Sequence, residues 1–187
     1  PLTNLPGNET IHHWIQEALS RPEYSIVYAD LDHFKGYNDI YGFLKGDELL
    51  RLTGNVLSEN LWRLHPATKL GHIGGDDFVL ICPAIVSEES LSSLCKAYDQ
   101  RKLSLFKPEH VNLGHFESID RQGMPARIPL VTMSLAVIDS RRICVNPQVA
   151  PAFFSESAAA LKKKVKQLTA STGKSGFLFE QRHYGRN

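Results

Sequence analysis

Tyr24-Ser25-Ile26-Val27-Tyr28-Ala29-Asp30-Leu31-Asp32-His33-Phe34-Lys35 and, further along, Gly74-Gly75-Asp76-Asp77-Phe78 are the stretches whose reading decides the fold. Tyr24 to Ala29 is a short, almost fully apolar run, the pattern of a central strand buried on both faces. Each stretch places a carboxylate where an extended apolar run gives way to a turn or helix. Two carboxylates brought together at strand ends can hold Mg²⁺ against a triphosphate. Each also has a plainer reading. Gly and Asp are the residues hairpin turns prefer, and Asp30 and Asp32 could cap a helix or lie in solvent. Lys35, Asn38, Asp39, Gly46 and Asp47 follow closely and favour the functional reading. Asn38 offers an amide donor and acceptor and Asp47 accepts two hydrogen bonds, so together they could read the edges of a guanine. Lys35 can neutralise phosphate as a point charge.

Outward from this centre, Asn8 could cap a helix through Ser20, with Ile11, Trp14, Ile15, Ala18 and Leu19 at helical spacing. Asn38 to about Leu61 reads as helix, interrupted by Gly42 and Gly46. Lys69–Ile73 and Phe78–Cys82 read as strands joined by the Gly74–Asp77 turn, a hairpin. Ser87 is expected to cap a further helix, with Glu88 and Glu89 in its first turn. Residues 101–112 read as irregular. Gly114–Asp120 and Ala126–Val137 read as strands about a turn at Arg121-Gln122-Gly123, a second hairpin. A loop with Pro147 and Pro151 precedes a helix from Ser155 to about Leu168, and Phe177–Glu180 is a last strand. Strands alternate with helices, but two strand pairs are hairpins. The expected architecture is therefore a mixed sheet with helices over it, not a doubly wound parallel sheet.

With 187 residues the chain fits one domain with a real core. At 42% hydrophobic and 22% charged it reads as an ordinary globular protein. A net charge of +1 predicts no broad surface for polyanions, so nucleic acid is not expected as a partner. Cys82, Cys95 and Cys144 are widely spaced and odd in number, which predicts neither a disulfide framework nor a metal site and fits a reducing cytoplasm. No apolar stretch approaches the roughly 20 residues that span a bilayer, and no signal peptide opens the chain. The first residue is Pro, so the sequence reads as a single domain, residues 1–187, cut from a longer protein.

The segments ADLDHFKGYNDIYGFLKGDELL and GHIGGDDF resemble the GGDEF domain of diguanylate cyclases, in a GGDDF variant. The likeness extends to Pro1-Leu2-Thr3-Asn4-Leu5-Pro6, to Val131–Leu135 and to Lys162–Lys166. It implies an α/β (α+β) fold with a central, mostly antiparallel sheet of about five strands flanked by helices, like the palm of nucleotide cyclases and polymerases. That palm has a ferredoxin-like core. The implied reaction condenses two GTP into cyclic di-GMP, with Mg²⁺ or Mn²⁺ as cofactor and a homodimer bringing the two nucleotides together. Asp30, the Leu31 carbonyl and Asp76 would hold the metal. Backbone amides near His33 and Phe34, with Lys35, would cradle the triphosphate, and Gly74-Gly75 would let the backbone approach it. Asn38 and Asp47 would recognise guanine. Asp76 and Asp77 would help activate the 3′-hydroxyl, and Lys166 matches the lysine of the family's last helix.

Several positions depart from the family pattern. Asp77 stands where Glu is usual, shortening the side chain by one methylene. His65-Pro66-Ala67-Thr68 carries neither charge of the family's Arg-x-x-Asp inhibitory site, so product inhibition there is expected to be absent. His72 stands in place of an Arg, and the last helix runs on to Lys174, which is either a second phosphate contact or a solvated loop lysine. Residues 106–129 form an extra hairpin and resemble a subgroup that follows EAL phosphodiesterase and CBS domains. Thr172-Gly173-Lys174-Ser175 imitates the end of a P-loop, but Leu168 occupies the place of its earlier Gly and the segment precedes a strand instead of following one. Two readings follow: a cytoplasmic diguanylate cyclase with reduced or conditional activity, or a weak or inactive GGDEF domain that binds GTP or cyclic di-GMP and regulates an attached domain. Membrane contact is not expected of either.

Overall fold

The apolar run after Tyr24 becomes β1 (Ser25–Asp32), and every residue of it is buried. The remaining strands are β2 (Lys69–Gly74), β3 (Asp77–Cys82), β4 (His115–Ile119), β5 (Pro125–Pro129), β6 (Thr132–Asp139) and β7 (Gly176–Phe179). The helices are α1 (Asn8–Leu19), α2 (Phe34–Tyr41), α3 (Phe43–Leu64), α4 (Glu88–Arg101), α5 (Pro108–Leu113) and α6 (Ala150–Thr172). This computed structural model describes residues 2–119, 124–142 and 150–182, and only the backbone at residues 118, 119, 125 and 150–156. Cys144, Pro147 and the turn at 121–123 lie outside the described residues. Among the described residues no helix is long and apolar enough to cross a membrane.

Five strands form one sheet in the order β2-β3-β1-β6-β7. All neighbours are antiparallel except β6 and β7, which run parallel with α6 as the crossover. Side chains alternate across a strand, so β1 feeds two cores. Val27, Ala29 and Leu31 join the larger core under α3 and α4, with Leu49, Val56, Leu57, Leu91 and Tyr98. Ile26 and Tyr28 join the smaller one under α1 and α6, with Ile11, Ile15, Leu161 and Val165. Asp30 and Asp32, at even positions, therefore face α6.

The structure corrects several element boundaries. β1 extends through Asp32, because Leu31 and Asp32 pair with Met133 and Thr132 of β6 beyond Asp30, opposite which β3 begins. Gly7, not Asn8, is the N-cap of α1. The helix expected from Asn38 is two helices, divided where Gly42 adopts φ 86°. Residues 101–112 are not irregular. They hold a 3₁₀ turn and α5, which starts at Pro108 and ends at Gly114 with φ 73°. The expected strand Ala126–Val137 is two strands in different sheets. Pro129 has no N–H to continue the ladder, so β4 and β5 pair only with each other. α6 starts before Ser155 and runs past Leu168 to Thr172, with Thr169 buried.

The segment after α4 braces α2. Tyr37 Oη donates to the Leu105 carbonyl at 2.8 Å, and Tyr41 Oη meets His110 Nδ1. The β4–β5 ribbon reaches the same helix. A Cβ built on Gly36 of α2 would lie 2.9 Å from Ile128 Cδ1.

A close approach on the other side gives a stability test. A Cβ on Gly71 of β2 would fall 2.4 Å from Ile11 Cγ1 and 3.3 Å from the Pro6 carbonyl. Gly71→Ala should therefore overpack the α1 face and cost about 1–3 kcal/mol. Thermal melting should show a drop of several degrees; an unchanged midpoint would mean that Ile11 repacks freely.

Candidate functional site

The register of β1 and β3 sets Asp30 directly opposite Asp77, with both side chains on the α6 face. Asp76 occupies the turn just before, and its carbonyl accepts the Leu31 amide at 3.3 Å. The turn is made by Gly74 at φ 143° and Gly75 at φ 57°, conformations that glycine adopts without strain. Three carboxylates thus meet near the end of β1 and at the start of β3. Burial, and then the charge of Asp30, holds the Asp76 carboxyl above the ordinary range.

Two lysines of α6, one turn apart, answer this charge. Lys166 Nζ is 2.6 Å from Asp30, and Lys162 Nζ is 3.5 Å from Asp30 while pairing tightly with Asp77. Burial works against the Lys166 ammonium, but its ion pair with Asp30 and the nearby Asp32 and Asp76 leave it above its usual value. Sequence reasoning matched Lys166 and passed over Lys162 as a site residue. The signal was available in the i, i+4 spacing of two lysines beside the core positions Leu161 and Val165.

Asp32, 6% exposed, anchors this arrangement from beneath. Its Oδ2 accepts the hydroxyls of Thr132 at 2.8 Å, Ser134 at 2.7 Å and Thr169 at 2.8 Å. Thr169 lies one turn beyond Lys166, so the bond ties α6 to β1 beside the carboxylates.

The nucleotide-facing candidates lie along α2 and the start of α3. His33 is the N-cap of α2 with φ 62°, an uncommon conformation for a residue with a side chain. Burial pushes its imidazole down, against the pull of Asp32. The first intrahelical bond runs from the Tyr37 amide to the His33 carbonyl. The amides of Phe34, Lys35 and Gly36 precede it at the positive end of the helix, a ready anion site. Lys35 is largely exposed and only 3.8 Å from Asp39, leaving its ammonium available. Further along, the Asn38 side chain lies against Gly46, the residue before Asp47. A Cβ on Gly46 would be 1.8 Å from Asn38 Oδ1. That oxygen is buried and has no partner. Asn38 therefore sets a buried acceptor without a partner beside the residue that precedes Asp47.

His72 secures the turn. Its ring stacks on Phe78 with centroids 4.4 Å apart, Nε2 donates to the Gly75 carbonyl at 2.9 Å, and Nδ1 meets Thr3 Oγ1 at 2.9 Å. Lys174 is placed elsewhere: it lines a cleft with Lys96, Asp99 and Lys102.

Asp30 and Asp76 could serve a divalent cation that takes most of its ligands from water and phosphate. Among the described residues no three His, Cys, Asp or Glu side chains are grouped so that they could hold a metal ion by themselves. Mg²⁺ does not require such a group, since it is usually held by one or two carboxylates plus substrate oxygens. Burial is the main cause of the raised Asp76 carboxyl, and a cation would relieve only the smaller part that comes from Asp30 and Asp77. The sign gives a prediction. A carboxyl raised in the folded state contributes stability below its ordinary value of 3.8 and loses it as pH rises through the raised value. At neutral pH, Asp76→Asn should raise the melting temperature of the metal-free protein slightly, and this gain should vanish in acid. Mg²⁺ should stabilise the native protein and not the variant. A melt showing the same Mg²⁺ effect in both would place the metal elsewhere.

Residues 1–113 match the family model for the diguanylate cyclase GGDEF domain, and the chain belongs to that family. It is 32% identical over 89 residues to the diguanylate cyclase DgcP of Pseudomonas aeruginosa, covering 45% of this chain and 13% of that protein. It is 30% identical over 118 residues to the diguanylate cyclase DgcZ of Escherichia coli, covering 60% of this chain and 38% of that one. These matches span less than half of either relative. Among solved structures, the GGDEF domain of PA1120 from Pseudomonas aeruginosa superposes with a TM-score of 0.63 at 15% identity, covering 96% of this chain and 98% of that one. The GGDEF domain of DgcB from Caulobacter crescentus, in complex with c-di-GMP, gives 0.59 at 18% identity, covering 96% and 93%. These likenesses show the fold: a mixed α/β domain with a mostly antiparallel central sheet.

Proposed function

We propose that this domain condenses two molecules of GTP into cyclic di-GMP with release of pyrophosphate. The observation that carries the reading is the meeting of Asp30, Asp76 and Asp77 beneath Lys162 and Lys166. Mg²⁺ or Mn²⁺, held by Asp30, the Leu31 carbonyl and Asp76, would neutralise the triphosphate and the attacking oxygen. The chain's own groups do the rest. The amides of Phe34, Lys35 and Gly36, with the Lys35 ammonium, bind phosphate oxygens, and Gly74-Gly75 leave room for them. Asn38 and Asp47 hold guanine. Lys162 and Lys166 would follow negative charge as it moves between carboxylates and phosphates, and Asp76 and Asp77 would help activate the 3′-hydroxyl. Each domain reads one guanine, so two copies must face each other to form both new phosphodiester bonds.

A second reading is favoured by one observation. Asp77 is one methylene shorter than the family's usual Glu and is occupied by Lys162. A domain that binds GTP or cyclic di-GMP without turnover would serve as a regulatory module. A deliberately dimerised form of the protein, incubated with GTP and Mg²⁺ or Mn²⁺ and followed by chromatography, separates the two. Formation of cyclic di-GMP supports the enzyme, and bound GTP without product supports the module.

A further inference from the structure

Between α4, the end of the β4–β5 ribbon and the loop after α6 lies a cleft of about 400 Å³, in the size range of small-molecule sites. Lys102 lines it and is only 3% exposed, a rare burial for an ammonium. Its Nζ is held by Asp99 at 2.7 Å. The same carboxylate accepts the Ser175 hydroxyl at 2.6 Å and the Ser175 amide at 2.9 Å. Burial pushes the Lys102 ammonium below its ordinary value, against the pull of Asp99. Lys96 and Lys174 stand exposed on the rim, and neither has an ion pair among the described residues. The lining holds three lysines and one carboxylate, a formal excess of two positive charges. A phosphomonoester carries about −1.5 to −2 at neutral pH. Leu103 and Leu130 add an apolar wall. Gly173, at φ 66°, turns the chain just before Lys174 and leaves open space where a side chain would project.

We propose that this cleft is a second ligand site, separate from the carboxylate cluster, which takes a small phosphomonoester with an apolar body. The phosphate lies among Lys96, Lys102 and Lys174, and the apolar part covers Leu103 and Leu130. The P-loop-like segment Thr172–Ser175 then contributes an ammonium to a phosphate, though not through P-loop geometry.

Phenyl phosphate is the probe, titrated in the presence of EDTA and followed by amide NMR of the native chain. The amides of Gly114, Gly173 and Lys174 should shift saturably, with a Kd of about 1 mM or tighter. Lys96→Ala combined with Lys174→Ala, both exposed positions, should weaken binding about tenfold or more. Lys166→Ala, at the carboxylate cluster, should leave it unchanged. Inorganic phosphate should bind more weakly than phenyl phosphate, and equal binding would overturn the apolar half of the proposal. The whole proposal is overturned by no saturable shift at these amides up to about 10 mM, by unchanged affinity in the double variant, or by shifts confined to Phe34 and Lys35. These outcomes do not depend on whether the domain makes cyclic di-GMP.

Discussion

Gly46→Ala should remove most of the protein's affinity for GTP while leaving its melting temperature unchanged or slightly raised. The added Cβ would fall 1.8 Å from Asn38 Oδ1 and 2.8 Å from its Cγ. The atoms in its way are the end of a flexible side chain, so Asn38 swings aside and the backbone stays. Alanine is also a better helix former than glycine by up to about 1 kcal/mol. What is lost is the paired presentation of Asn38 and Asp47. Each guanine hydrogen-bonding group left unsatisfied costs about 1–3 kcal/mol, so affinity should fall about 10- to 100-fold. Asp47→Ala should lose about tenfold on the same grounds. ATP binding should hardly change in either variant. Calorimetry with both nucleotides tests this, and equal losses for GTP and ATP would show that the base is read elsewhere.

Asp77→Glu should raise cyclic di-GMP formation by about 100-fold if reach is what limits turnover, since displacements near 1 Å have effects of that order. The extra methylene carries the carboxylate past Lys162, which pairs with the native Asp77. GTP affinity should stay nearly constant, because Asn38, Asp47 and the α2 amides are untouched. A change in turnover without a change in affinity marks an interaction made in the transition state. If native and variant proteins turn over equally fast, the shorter side chain is harmless. If neither makes product while GTP is bound, the regulatory module is the better account.

Local chemistry made much of this fold legible. Alternation and apolar runs marked β1, β2 and β3, and the Ser87 cap is present, its hydroxyl accepting the Ser90 amide at 3.1 Å. The carboxylate meeting was legible too, because strand ends and a Gly-Gly turn are written locally. What escaped depends on partners far along the chain. Asp32 is fixed by hydroxyls from Thr132, Ser134 and Thr169, a hundred or more residues away. Lys162 acquires its place only once Leu161 and Val165 choose the face of α6 that packs on the sheet. The passage from β5 to β6 read as one continuous strand because most of 126–137 is apolar, although Pro129 marks the place where the ladder breaks.

The contact between Ile128 and Gly36 gives the ribbon a role beyond its own stability. Gly36 follows Lys35 in the first turn of α2, and its lack of a side chain is what admits Ile128. The two positions are a matched pair, so enlarging one demands trimming the other. Relatives that keep the ribbon should keep the small residue, while those without it are free to fill the gap. An appendage outside the carboxylate cluster thereby presses on the helix proposed to bind phosphate, where descent could retune nucleotide affinity and leave the chemistry intact.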